Sequence, residues 1–443
     1  MKSHYPTGNL LRRISKQLGW GVLMIALFSV LTGCRTNTTI VTFNDRNGSA
    51  GRVRSPISVP IQLTETQHEA AQLGNLGLLE IGSESDPIAV QYEPCQDNEL
   101  KGRLWWLMPA GGKGKRRFKV IVDYEGNEVG MMVRYDQNKQ RMDIRDGEMP
   151  VLRYNYGTVP MPKLIKERFQ QGRYPSPPHD PAGLDRGDYV HPLYGPNGEV
   201  LTNDYPVDHP HHRGIYWAWP EVYYKGEKRD IHAVYGVWAR PEKVLRLING
   251  SVFALIEVEN TWKWKDKEPI VKEEVEIRAY KNIEGRRFVD FEFRFTGLAD
   301  DVLIARRGQR NYGGVNLRMA TGKDLKIKFF TDPPESDVRR AWADMVNTVP
   351  GGKGPTGVAV LQRVTNPHYP GDWVEYPHIF WYQPTFPCKG CKYHLEKNKT
   401  LVLNYRLWIR PGAAGDEVLA DLWAAYNRDS SKEDGHQEKG KVK

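Results

Sequence analysis

The chain has 443 residues, a formal charge of +9, 26% charged and 40% hydrophobic residues, 13 Trp and 22 Tyr. So much apolar and aromatic content excludes a disordered chain, and no run of 18 or more apolar residues offers a permanent membrane span. The surplus of cations comes without a nucleic-acid-binding motif, so no nucleic-acid partner is expected.

In chain order, the first element is a targeting signal. Arg12, Arg13 and Lys16 precede the short apolar run 21–30, which ends at Leu31-Thr32-Gly33-Cys34. This is the pattern of a bacterial lipoprotein signal, with residues 1–33 removed and Cys34 lipidated. Losing Lys2, Arg12, Arg13 and Lys16 with no acid takes the charge from +9 to +5. The expected location is the cell envelope, lipid-anchored on the periplasmic side or the outer-membrane surface, with the membrane as partner through the lipid. Arg35, where an Asp would favour the inner membrane, tilts the balance outward. Residues 34–56, rich in Thr, Asn, Arg and Ser, read as a tether.

From residue 57 onward, short runs of β-branched and aromatic residues alternate with Gly, Pro, Asn and Asp. Val289, Phe291, Phe293 and Phe295 make one apolar face of a strand, with Asp290, Glu292 and Arg294 on the other and Phe288 as the exception. Helical spacing is limited to residues 66–80 and 416–427. The fold class expected is mainly β, a large antiparallel sandwich with few helices. An N-terminal β region over 57–150, a main sandwich over 151–427 and a disordered tail over 428–443 complete the predicted organisation. Cys388-Lys389-Gly390-Cys391 reads as a local disulfide in an oxidising compartment, because haem attachment needs the histidine directly after the second cysteine. Cys95 is then unpaired.

The chemistry concentrates in Asp208-His209-Pro210-His211-His212-Arg213-Gly214, which holds three of the twelve histidines. Imidazole serves as acid, base or metal ligand near neutral pH. If the segment is extended, His209, His211 and Arg213 share one face and His212 points to the other. Three readings follow. His209 and His211 bind a divalent metal ion with His232, His191 or Glu221; or they form a metal-free acid/base site with Asp208 or Glu221; or the segment is a hydrogen-bonded corner. Arg213 and Arg310 would steady negative charge, and Tyr312 or His191 would donate a proton. Trp217, Trp219, Glu221 and His378 would contact substrate. Further polar sets lie at Arg306–Tyr312 and at His368, Asp372, Trp373, Glu375 and His378.

Tyr189–Tyr194, Asp208–Gly214 with Trp217, Thr365–Pro370 ahead of Trp373, and Arg406, Arg410, Pro411 and Gly412 resemble a bacterial family catalogued as "methane oxygenase PmoA", or PmoA-like. The likeness covers roughly residues 150–427. The chain departs from the family pattern in its Cys388–Cys391 insertion and at Gln362-Arg363. The resemblance implies a mutarotase-type supersandwich and a role beside sugar-processing oxidoreductases. The expected function is action on carbohydrate, as a lyase, hydrolase or epimerase. A non-catalytic glycan-binding lipoprotein and a copper or iron oxidase are the alternatives.

Overall fold

The computed structural model describes residues 38–126, 128–170, 185–330, 340–428 and 438–440. The signal and Cys34 lie outside the described residues. Among those described, no helix is long and apolar enough to cross a membrane.

The expected mainly β architecture is present, built as three β layers. At the centre is an eight-stranded antiparallel sheet in the order Val237–Ile248, Phe253–Trp264, Glu268–Tyr280, Arg287–Gly297, Thr400–Pro411, Thr356–Gln362, Trp342–Thr348, Lys323–Phe330. Facing it is a second eight-stranded sheet: Trp373–Tyr376, Trp381–Pro384, Gly314–Arg318, Ile215–Ala218, Tyr189–Leu193, Met149–Asn155, Arg141–Asp146, Met131–Asp136. The two inner faces enclose one apolar core, including Ile277, Val289, Phe291, Phe293, Trp217 and Tyr382. Burying such faces is the main stabilising term of a sandwich.

The other face of the central sheet is covered as well. Strands Thr38–Asp45 and Gly114–Ile121, strands Pro56–Gln62 and Asn98–Leu107, and helix Asp416–Tyr426 pack there in a second core. Alternation therefore serves two cores at once. On strand Phe253–Trp264, Ala254 and Ile256 join the inner core, while Phe253 and Leu255 join the outer one. Phe288, out of phase with its neighbours in sequence, is an outer-core residue for the same reason.

Three expectations about organisation change. Much of the supposed tether is folded: Thr38–Asp45 is a strand with Val41 and Phe43 in the outer core, followed by helix Ser49–Val53. No boundary falls at 150, because strand Met149–Asn155 spans it and pairs with Arg141–Asp146 on one side and Tyr189–Leu193 on the other. Residues from Thr38 onward form one compact unit. Of the expected disordered tail, Glu438–Gly440 pair with Thr38–Ile40, and the rest of 429–443 lies outside the described residues. The helix expected over 66–80 stops early, as Glu65–Gln72 with a Thr64/Gln67 capping box, and Gly77–Glu80 is a strand. The helix expected over 416–427 spans Asp416–Tyr426.

Candidate functional site

The histidine segment connects into strand Ile215–Ala218 of the second sheet, and its path is fixed by backbone constraints. Pro210 and His211 form a tight turn, with His212 N–H donating to His209 C=O at 2.9 Å. Proline at the second position of such a turn presets the required φ. Gly214 has φ +58°, and a Cβ there would lie 2.2 Å from the Val190 carbonyl oxygen, so the close approach to strand Tyr189–Leu193 needs glycine.

The turn overrides the expected alternation. An extended chain would have put His212 opposite His209 and His211; the turn gathers all three rings. The His209 and His212 rings stack at 4.9 Å, and His211 meets His212 edge-on at 4.6 Å. His232 arrives from the turn after strand Glu227–Arg229, its ring 5.5 Å from both His211 and His212. Nitrogen atoms of His211, His212 and His232 lie within 4.8 Å of one another. The histidines within mutual ligand reach are therefore His211, His212 and His232, where the sequence pointed to His209, His211 and His232.

These rings sit at one side of a cavity of about 620 Å³. The cavity is also lined by Arg307, Tyr312, Tyr376, His378 and Trp381 and by Lys228, Arg229 and Asp230, with the Tyr312 ring 4.9 Å from His232. Trp381 packs 5.0 Å from His212 and stacks on Tyr376 at 5.1 Å. Burial disfavours the charged imidazolium, reinforced by neighbouring imidazoles and arginines. His211 is pushed down to about 3, and His212 and His232 lie well below the usual histidine range. All three rings are neutral at physiological pH, with lone pairs available. Burial raises the Tyr312 hydroxyl, whose oxygen accepts from Arg307 Nε at 3.1 Å.

His209 is the exposed member of the cluster. Its Nδ1 lies 3.1 Å from Asp208 Oδ2, and Arg318 Nη2 donates to both Asp208 oxygens at 2.7 and 2.8 Å. Burial pushes the Asp208 carboxyl up, but hydrogen bonds from His209 and Arg318 outweigh it, so Asp208 stays ionised. An ionised Asp208 favours the tautomer with Nδ1–H, which leaves the Nε2 lone pair as a base.

Several residues expected in the site are elsewhere. Arg213 is fully buried, clasped by Asp204 and the Tyr189 hydroxyl, its guanidinium 4.3 and 3.5 Å from the Tyr189 and Tyr205 ring centres. His191 bonds Thr202 Oγ1 at 2.9 Å and is not among the residues lining the cleft. Trp217 and Trp219 point into the sandwich, donating at 2.7 Å to Glu273 Oε1 and to the Phe386 carbonyl. Glu221 accepts from Gly308 N–H at 2.8 Å and Tyr223 at 2.6 Å, which positions the Arg307–Gln309 turn rather than a ligand. Arg310 lines a separate cavity of about 610 Å³ with His368, Asp372, Trp373 and Cys388. Cys388 and Cys391 form the expected disulfide, and Cys95 is free and exposed. A third cavity, about 460 Å³, lies between the N-terminal layer and the central sheet. Its arginines are committed to structural pairs such as Arg406 with Asp290 and Arg278 with Glu276.

Sequence reasoning missed His212, Tyr376, Trp381 and Lys228; Arg307 falls in the polar set it marked at Arg306–Tyr312. The density of aromatics in 373–382 was a usable signal for Tyr376 and Trp381; nothing local marked Lys228.

The class of protein is therefore a three-layered antiparallel β protein with a histidine-lined cleft at one end of its inner sandwich. A family of unknown function (DUF6807) matches residues 141–424, and the chain belongs to that family. The match contains every residue of the cleft and omits the strands before 141. No curated protein matches the chain.

Proposed function

We propose that this protein is an envelope-located enzyme, anchored through lipid on Cys34, that moves a proton on a carbohydrate held in the histidine cleft. The carrying observation is the Arg318–Asp208–His209 relay, which leaves an oriented imidazole exposed at the edge of a cavity about 620 Å³ in volume. A general base needs an acceptor nitrogen held by a partner on its other side. The Tyr312 hydroxyl, which lines the same cavity, is the proton donor. Tyr376, backed by the buried Trp381 on which it stacks, is the aromatic ring placed to meet the C–H side of a sugar ring.

Among lyase, hydrolase and epimerase, the cleft favours lyase or epimerase chemistry. Glycoside hydrolysis ordinarily uses two carboxyl groups across the scissile bond. Among the described lining residues the sole carboxylic acid is Asp230, whose carboxyl burial pushes up to about 6. The PmoA-like resemblance of residues 150–427 supports the sugar assignment.

The test uses wild-type protein with a panel of neutral and acidic monosaccharides and oligosaccharides in D2O, followed by NMR. Proton abstraction at carbon appears as deuterium incorporation or as a new unsaturated or epimeric product. His209→Ala should lower the rate by at least about 100-fold, within the range of general base catalysis. Saturable sugar binding without exchange or product, unchanged in His209→Ala, would make the protein a glycan binder. Sugar oxidation dependent on copper or iron would favour the oxidase alternative.

A further inference from the structure

We propose that His211, His212 and His232 bind one transition-metal ion of the zinc or copper type, with an open coordination position facing the cleft. The site shares the cleft of the sugar reading but does not depend on it.

The donor set comes first. Each of the three imidazoles offers a nitrogen, and the three lie within 4.8 Å of one another. Nitrogens bound 2.0–2.1 Å from a tetrahedral ion sit roughly 3.3 Å apart, so closure asks for about an ångström of ring movement. An all-imidazole set suits zinc or copper, whereas magnesium and calcium require oxygen ligands.

The second observation is independent of the first. His212 is 2% exposed, and its Nδ1 is buried without a hydrogen-bond partner. Buried polar atoms are nearly always satisfied, and a hydrogen-bonded structural corner would have supplied a partner. A neutral imidazole nitrogen next to two others is instead what a metal ion completes.

The surroundings fit the role. The Tyr216 hydroxyl lies 3.0 Å from His232 Nε2, and Arg186 covers the Tyr216 ring at 5.0 Å. With metal on His232 Nδ1, the Nε2–H would donate to Tyr216, the kind of outer contact that orients metal-bound histidines. His209, its ring 4.9 Å from His212, stands at the open side with the cavity beyond. The cations facing the cluster are Arg186, Arg307 and Arg318, and the nearby carboxylates are Asp208 and Asp230. That positive field draws hydroxide or an anionic oxygen of a ligand into the open position. A metal there would polarise a carbonyl or hydroxyl oxygen of a bound sugar.

The experiment uses tag-free full-length protein, stripped with chelator and titrated separately with Zn2+ and Cu2+ by calorimetry, with Co2+ absorption as a spectroscopic readout. The expected result is one ion per chain, with visible Co2+ bands typical of nitrogen ligation in a low-coordinate site. His211→Ala and His212→Ala should each weaken binding by about 100-fold or more, while His191→Ala leaves it unchanged. His212 is buried, so circular dichroism and melting establish which variants are folded; half-buried His211 provides the second variant. The proposal is overturned if wild type shows no saturable 1:1 binding of any of the three ions. It is equally overturned if folded His211→Ala or His212→Ala protein binds as tightly as wild type. Metal binding without sugar turnover removes the carbohydrate reading alone, and sugar turnover by wild-type protein that binds none of the three ions removes the metal proposal alone.

Discussion

Replacing Arg213 by Met tests whether this arginine belongs to the fold or to the chemistry. Its guanidinium is fully buried between the Tyr189 and Tyr205 rings and bonded to Asp204 and to the Tyr189 hydroxyl. Methionine keeps much of the volume but leaves Asp204, which is 19% exposed, without its cation. Breaking one partner of a buried pair costs about 3–5 kcal/mol, and the two cation–π contacts lie within that total because such terms are not additive. Unfolding entropy of about 2 cal/mol/K per residue over a unit of about 400 residues converts this to a melting-temperature fall of roughly 4–6 °C. Urea and thermal unfolding followed by tryptophan fluorescence measure it. Arg213→Lys should rescue little, because a point charge cannot reproduce the planar fork between two rings. The reasoning fails if Arg213→Met melts with wild type yet loses metal or sugar binding; Arg213 would then act in the cleft.

Two further outcomes are expected. Asp188 and Glu273 are buried together; burial raises both carboxyls, and the neighbouring Glu273 raises Asp188 further, well above the usual carboxylate range. The folded pair therefore keeps a proton that the unfolded chain releases. That contribution is complete below the unfolded carboxylate range and is lost as pH rises through the folded value, with a slope of up to about 1.4 kcal/mol per pH unit. Asp188→Asn should flatten the slope and gain on wild type between pH 5 and pH 8 in urea midpoints; an unchanged slope would place the proton elsewhere. Separately, removing the Cys388–Cys391 bond as Cys388→Ser/Cys391→Ser closes no long loop, since only three positions separate the cysteines. The loss should be about 2 kcal/mol or less by loop entropy, and a drop beyond about 4 kcal/mol in calorimetry would show a wider structural role.

Much of the fold was legible because strand patterning is local. The alternation Val289, Phe291, Phe293, Phe295 is visible in the chain and needs no partner to be recognised. What alternation does not reveal is whether the second face is also covered, which is why Phe288 looked anomalous and Thr38–Asp45 was given to a tether. Ile40, Val41 and Phe43 were apolar warnings there, outweighed by the surrounding Thr and Asn. In the site, the histidine segment stood out by composition, and its cleft includes His209, His211, His232, Tyr312 and His378 as expected. The assignment of faces failed because one turn at Pro210–His211 reverses the parity on which it rested. Trp217 was misplaced for a related reason. Tyr216 and Trp217 project to opposite sides of one strand, Tyr216 to His232 and Trp217 to Glu273, and nothing within Ile215–Ala218 says which side holds the cleft.

The tight turn at Pro210–His211 also separates two kinds of variation. Three of the five imidazoles that line the cleft ride on four consecutive positions, and a fourth follows within about twenty residues, so the reactive floor is inherited almost as a single peptide. Much of the remaining lining comes from two loops distant in sequence, around Arg307 and around His378. Substitutions in those loops can reshape what the cleft admits while the floor stays as it is, so relatives sharing the floor need not share a substrate.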